Sequence, residues 1–118
     1  MELLNKTDKE IIEIISPLIN NMESAWDNND HSSFIENFST DMREAATEED
    51  FNEQRSHLFP LYGKSTRIEP ALIHKNKNSI NIIWKKHCEK LENPVLLICT
   101  FEEEHNNIVI SSAFLPRH

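Results

Sequence analysis

The chain has a single glycine, Gly63, among 118 residues. A phosphate-cradling loop needs several glycines for close backbone approach, so no such nucleotide motif is possible here. Cysteine is also scarce. Cys88 and Cys99 are too few for the disulfide framework of a small secreted fold. No run of about 18 apolar residues exists, so nothing reads as a membrane-spanning helix. Basic residues are short as well: 12 Lys and Arg stand against 20 Asp and Glu, for a formal net charge of -8. That balance argues against the clustered cationic surface that nucleic-acid phosphates require and against an anionic membrane. Solubility alone explains the acidic surface, although a basic protein partner is compatible with it. Residues 1–10 lack the basic start and apolar stretch of a secretory leader. With residue 1 as the start, the expectation is a reduced, cytoplasmic protein.

What is present divides into a helical half and a strand half, together one domain over 1–118. Thr7-Asp8-Lys9-Glu10 has the form of a capping box. Ile11, Ile15, Leu18, Ile19, Met22 and Trp26 follow at helical spacing, which predicts a helix over about 8–28. Ser16-Pro17 would also suit a fresh helix start, but the apolar stripe keeps its phase across Pro17 and favours one kinked helix. Asn28-Asn29-Asp30 turns the chain, and Phe34, Ile35 and Phe38 face one way on a short second helix. Ser39-Thr40-Asp41 reads as a break. Thr47-Glu48-Glu49-Asp50 opens a third helix, with acids where the helix dipole favours them. Gly63 stands where a left-handed helix stop is wanted. The helices thus occupy about 8–62.

From Lys64 the apolar period changes to two, and four strands fit within about 64–115. The connections at 75–78, 91–94 and 105–107 are short, so neighbouring strands are antiparallel. A tight turn at His105-Asn106 sets Phe101 opposite Ile110, Cys99 opposite Ser112 and Leu97 opposite Phe114. A turn near Glu92-Asn93 sets Trp84 opposite Phe101 and Lys86 opposite Cys99. One face then carries Ile80, Ile82, Trp84, Leu97, Phe101, Ile108, Ile110 and Phe114, and should cover the long helix. The other carries Ile83, Leu96, Ile98, Val109, Ala113 and Leu115 among polar residues. A sheet with one solvated face alternates more cleanly than this. The mixed face is therefore the expected interface of a symmetric homodimer, against the plainer account of scattered apolar residues in water.

Helices followed by a curved four-stranded antiparallel sheet, with Ala25-Trp26-Asp27-Asn28-Asn29-Asp30, Phe34 and Phe38-Ser39-Thr40-Asp41-Met42, resemble the nuclear transport factor 2-like superfamily and its cystatin-like cone. Within it, Thr47-Glu48-Glu49-Asp50-Phe51, Gly63 and Asn93-Pro94-Val95-Leu96-Leu97 are most similar to a bacterial group of uncharacterised domains. The resemblance implies an α+β cone of three N-terminal helices on the sheet. The superfamily holds isomerases, dehydratases, cyclases, transport adaptors and toxin-neutralising proteins, and the fold alone selects none of them. The chain lacks the fifth or sixth strand of larger members, which implies a shallow pocket.

The expected pocket residues are Lys86, Cys99 and Ser112, forming a polar row across three strands, with Trp84 beside them, Tyr62 near the cone mouth and His57 on the third helix. The plainer account makes Lys86 a snorkelling rim residue and Cys99 a small apolar filler. No histidine pair has metal-ligand spacing, and Cys88 and Cys99 are at best diagonal neighbours. Asp27 and Asp30 suit turn and cap roles. No catalytic residue, cofactor or metal is assigned. The expectation is a small binding or scaffold protein, a homodimer through the sheet with a shallow pocket for a small apolar ligand. One alternative is an isomerase- or hydrolase-type enzyme in which Lys86, His57 or Tyr62 converge on such a ligand. Another is a toxin-neutralising or adaptor protein that binds a basic partner.

Overall fold

A computed structural model describes residues 1–116; the last two positions of the expected 1–118 span lie outside the described residues. A 3-10 turn at Glu2–Asn5 precedes four helical segments: α1 (Asp8–Asp27), α2 (His31–Phe34), α3 (Thr40–Ala45) and α4 (Glu48–Tyr62). Strands β1 (Ser65–Lys75), β2 (Ile80–Cys88), β3 (Val95–Glu104) and β4 (Asn107–Phe114) follow. They form one antiparallel sheet in the order β1-β2-β3-β4. Helices packed on a four-stranded antiparallel sheet are the α+β arrangement that the sequence predicts.

The capping box is formed. Thr7 Oγ1 accepts from the Glu10 amide at 3.2 Å, and Glu10 Oε1 accepts from the Thr7 amide at 3.0 Å. α1 runs unbroken through Pro17. Its stripe of Ile11, Ile15, Ile19 and Met22 packs against Ile80, Ile82, Trp84, Leu97, Phe101 and Ile110, and none of these is more than 4% exposed. Each such side chain contributes roughly 1.5–3 kcal/mol of burial free energy. Trp84 lies in this core, and its Nε1 has no hydrogen-bond partner among the described residues. Leu3, in a segment that reads as polar, is also buried by the 3-10 turn.

The break expected at Ser39-Thr40-Asp41 is instead the start of α3, so three expected helices become four segments. Ser39 Oγ caps it by accepting from the Met42 amide at 3.2 Å. The residues just before α3 dock on the free edge of β4. The Ser39 amide donates to the Ile110 carbonyl, and the Ile110 amide to the Asn37 carbonyl, each at 2.8 Å. This contact covers part of an edge that would otherwise present open hydrogen-bonding groups. Gly63 ends α4 with φ of 71°, its amide donating to the Phe59 carbonyl at 2.8 Å. A Cβ there would collide with the Glu89 side chain.

The strand register differs from expectation in two ways. Trp84 lies opposite Leu97 and Lys86 opposite Val95, while Ile80 and Ile82 face Phe101 and Cys99. The chain turns earlier than Glu92-Asn93 because the Leu91 amide closes on the Cys88 carbonyl at 3.2 Å. The resulting shift is an even number of residues, so every side chain of β2 and β3 keeps its face. The second difference changes faces. His105 and Asn106, at φ of 52° and 66°, make the expected tight hairpin, and Phe101 does face Ile110. Thr100 then pairs with Ser112, leaving Ser111 as an extra bulged residue. Cys99 consequently faces Ala113, not Ser112, and Phe114 pairs with Ile98, not Leu97. Ser112 and Phe114 turn outward, with Phe114 52% exposed, while Ala113 and Leu115 pack against the core.

Candidate functional site

The end of α1 puts Met22, Glu23 and Trp26 on the side that meets the sheet. Opposite them β2 presents Lys86 and β3 presents Leu97. Phe34 of α2, Gln54 and Leu58 of α4, and Ala113, Phe114 and Leu115 at the end of β4 complete a cavity of about 320 Å³. That volume is near the lower end of the roughly 300–1,000 Å³ range of ligand pockets. Its walls are mostly apolar and its floor is ionic.

Lys86 Nζ lies 2.7 Å from Glu23 Oε2, with the two side chains 4% and 9% exposed. The ammonium also stands 5.9 Å from the centroid of the Trp26 ring, within cation–π range. Behind the pair, the Ser65 hydroxyl donates to Asp27 Oδ2 at 2.9 Å, with a longer contact of 3.4 Å to Glu23 Oε2. The Ser65 amide holds Asp27 Oδ1 at 3.2 Å. Arg55 of α4 fixes the α1 terminus: its Nε donates to the Trp26 carbonyl at 2.7 Å and its Nη2 to the Asp27 carbonyl at 3.0 Å. Cations at a helix C-terminus are favoured by the dipole. Trp26 is further wedged by Phe34 and Phe51, at centroid distances of 5.8 and 5.5 Å. The ion pair thus rests on rigid elements.

The expected row of Lys86, Cys99 and Ser112 is not formed. Cys99 was expected opposite Lys86 but pairs with Ile82, four residues earlier on β2, and Ser112 is on the opposite face. Cys99 is fully buried, and burial, with Glu23 adding to it, pushes its thiol far up from the ordinary value. Burial likewise pushes the Cys88 thiol up, against the Lys86 cation and with help from Glu23 and Asp27. Neither is a nucleophile near neutrality, because the thiolate is the reactive form. Cys99 pairs with Ile82, six residues along β2 from Cys88, a separation of roughly 20 Å that no disulfide bridges. They are therefore not diagonal neighbours, and both thiols are free.

Among the other expected pocket residues, Trp84 lies in the core, His57 is exposed on α4 and Tyr62 is half-buried; none lines this cavity. No trio of His, Cys, Asp or Glu among the described residues is arranged to hold a metal ion. Ala113 and Leu115, expected at the outer face, line the cavity instead, as the Ser111 bulge dictates. Ile83, Leu96, Ile98 and Val109 do lie on the outer face. There Leu72, Ile83, Ile98 and Phe114 pair in sequence across all four strands as one apolar row. Glu23 went unread in the sequence. The signal was present: it stands four residues after Ile19, on the buried stripe, where a carboxylate has no place without a partner.

No family model and no curated sequence matches the chain. Among solved structures, that of Bdellovibrio bacteriovorus Bd1075 is similar in fold, with a TM-score of 0.56 at 9% identity over 95% of this chain. The match spans 43% of that protein, so the chain accounts for less than half of its length. No helix among the described residues is long and apolar enough to cross a membrane.

Proposed function

We propose that this chain is a small binding domain of the nuclear transport factor 2-like kind, which seats a small, mostly apolar molecule over the Lys86–Glu23 pair and has no catalysis of its own. The observation that carries this reading is a largely buried ion pair at the floor of a mostly apolar cavity. A buried pair gives a core no stability that well-packed apolar residues would not give. At the floor of a cavity it does something they cannot, which is to orient a guest. A reduced, cytoplasmic setting agrees with two free, buried thiols. We further propose that the domain pairs with a second copy through its outer sheet face. The support is the unbroken row Leu72–Ile83–Ile98–Phe114, a self-complementary strip of the kind a two-fold interface uses.

Titration with small apolar probes, followed by amide and side-chain NMR shifts, tests the ligand reading. The expected result is saturable shifts gathered at Met22, Trp26, Leu58 and Leu97. Binding confined to other surfaces, or none at millimolar probe, overturns it.

A further inference from the structure

Resting on the cavity reading above, the ion pair also specifies the chemistry of the guest. Lys86 Nζ carries three N–H donors. One meets Glu23 Oε2, the ammonium stands over the Trp26 ring face, and it has no second hydrogen-bond acceptor among the described residues. Glu23 Oε2 takes Lys86 and the long Ser65 contact, while Glu23 Oε1 accepts no hydrogen bond from any described residue. Both side chains are more than nine-tenths buried, and both line the cavity. The floor therefore offers an unused donor beside an unused acceptor, on groups of cancelling charge.

We infer that the cavity binds a primary carboxamide attached to a small apolar body. The carboxamide oxygen accepts from Lys86 Nζ, and the N–H on the same side of the amide plane donates to Glu23 Oε1. Competing head groups satisfy only half of the floor. A carboxylate suits Lys86 and is repelled by Glu23; an ammonium has the reverse problem. An ester accepts from Lys86 but has nothing to give Glu23. A trans secondary amide points its N–H away from its carbonyl, so it cannot reach both groups from one edge. Leaving a buried donor or acceptor unmet is what separates close analogues in a site of this kind. Trp26, Phe34, Leu58, Leu97 and Leu115 then enclose the apolar body.

Phenylacetamide, methyl phenylacetate, phenylacetate and N-methylphenylacetamide form a matched probe series. The amide should bind with NMR shifts at Glu23, Trp26 and Lys86, and each analogue should bind at least tenfold more weakly. The double variant Glu23→Leu/Lys86→Met replaces the pair by apolar side chains, a change that cores commonly tolerate. It should bind the ester and the primary amide equally. If the wild-type chain takes the ester as tightly as the amide, or the double variant keeps the amide preference, the carboxamide assignment fails while the apolar cavity stands. If none of the four probes shifts the cavity residues, both fail.

Discussion

Among the described residues the sheet carries one ionic cluster on each face, and the two are built differently. On the inner face Lys86 and Glu23 meet at 2.7 Å in near-complete burial. On the outer face His87 and Arg67 gather around Glu69 at 3.0 and 3.5 Å, with Arg67 and Glu69 side chains 65% and 42% exposed. Both bridge β2 to a neighbouring element, and both would look alike in a list of charged residues. Their surroundings separate them. An exposed pair gains little over its separate hydration. A buried pair depends wholly on its partner, because either ion alone would sit uncompensated in a poor solvent. Position relative to the core, and not the pairing itself, decides which cluster bears on the proposed binding.

The largest consequence falls on the inner pair. Lys86→Met alone strands the Glu23 carboxylate and should lower unfolding free energy by about 3–5 kcal/mol. Replacing both, as Glu23→Leu/Lys86→Met, should recover most of that loss. Urea unfolding of the two variants measures it. A single variant as stable as the double would mean that Glu23 is reached by solvent, and would erase the contrast with the outer face. The next effect is smaller and lies between the two extremes. Ser65 is half-buried and ties Asp27 to the start of β1. Ser65→Ala should cost about 1 kcal/mol, the usual net worth of one such bond. A loss equal to that of Lys86→Met would place Ser65 inside the ion-pair unit.

The same two faces explain what the sequence could and could not reveal. Element order, the capping box at Thr7 and the His105-Asn106 turn each have local chemical signatures, and all are found in the fold. Period-two alternation placed Ile80, Ile82, Trp84, Lys86, Leu97, Cys99 and Phe101 inward. That placement survived a wrong turn position because the slip was even. Beyond Ser111 it failed. A bulge at a serine has no glycine or proline to mark it, and one extra residue exchanged Ser112 and Phe114 with Ala113 and Leu115. Half of the site was therefore legible, as Lys86. Glu23 was not, because a single acid on an amphipathic stripe looks like an edge residue until the sheet residue opposite it is known.

A third consequence concerns association rather than the fold. Ile98 is half-buried on the outer face, between Ile83 and Phe114. Ile98→Glu should leave the isolated domain within about 0.5 kcal/mol of wild type, as surface changes usually do. In the proposed two-fold interface the substitution brings a carboxylate from each copy into an apolar strip, so the dimer should dissociate. Sedimentation equilibrium distinguishes the cases: wild type should fit a dimer at high micromolar concentration and the variant a monomer. A monomeric wild type would remove the interface and leave the outer row simply solvated.

The smallest effect belongs to the outer cluster. The His87 hydrogen bond, followed by the Arg67 charge, holds the Glu69 carboxyl below the ordinary glutamate range. A carboxyl with a lowered folded value contributes its stabilisation above the unfolded value, about 4.3, and loses it as pH falls through the folded value. That contribution is present at neutrality and lost in acid, but it is too small to measure in stability because the carboxyl is solvated. Because Glu69 is open to solvent, Glu69→Gln should leave the urea midpoint at pH 7 unchanged. The carboxyl carbon shift followed by NMR should titrate below ordinary glutamate in wild type and return toward it in His87→Ala. If Glu69→Gln instead destabilised the fold as Lys86→Met does, exposure would no longer separate the two clusters, and the inner pair would lose its claim to be the binding floor.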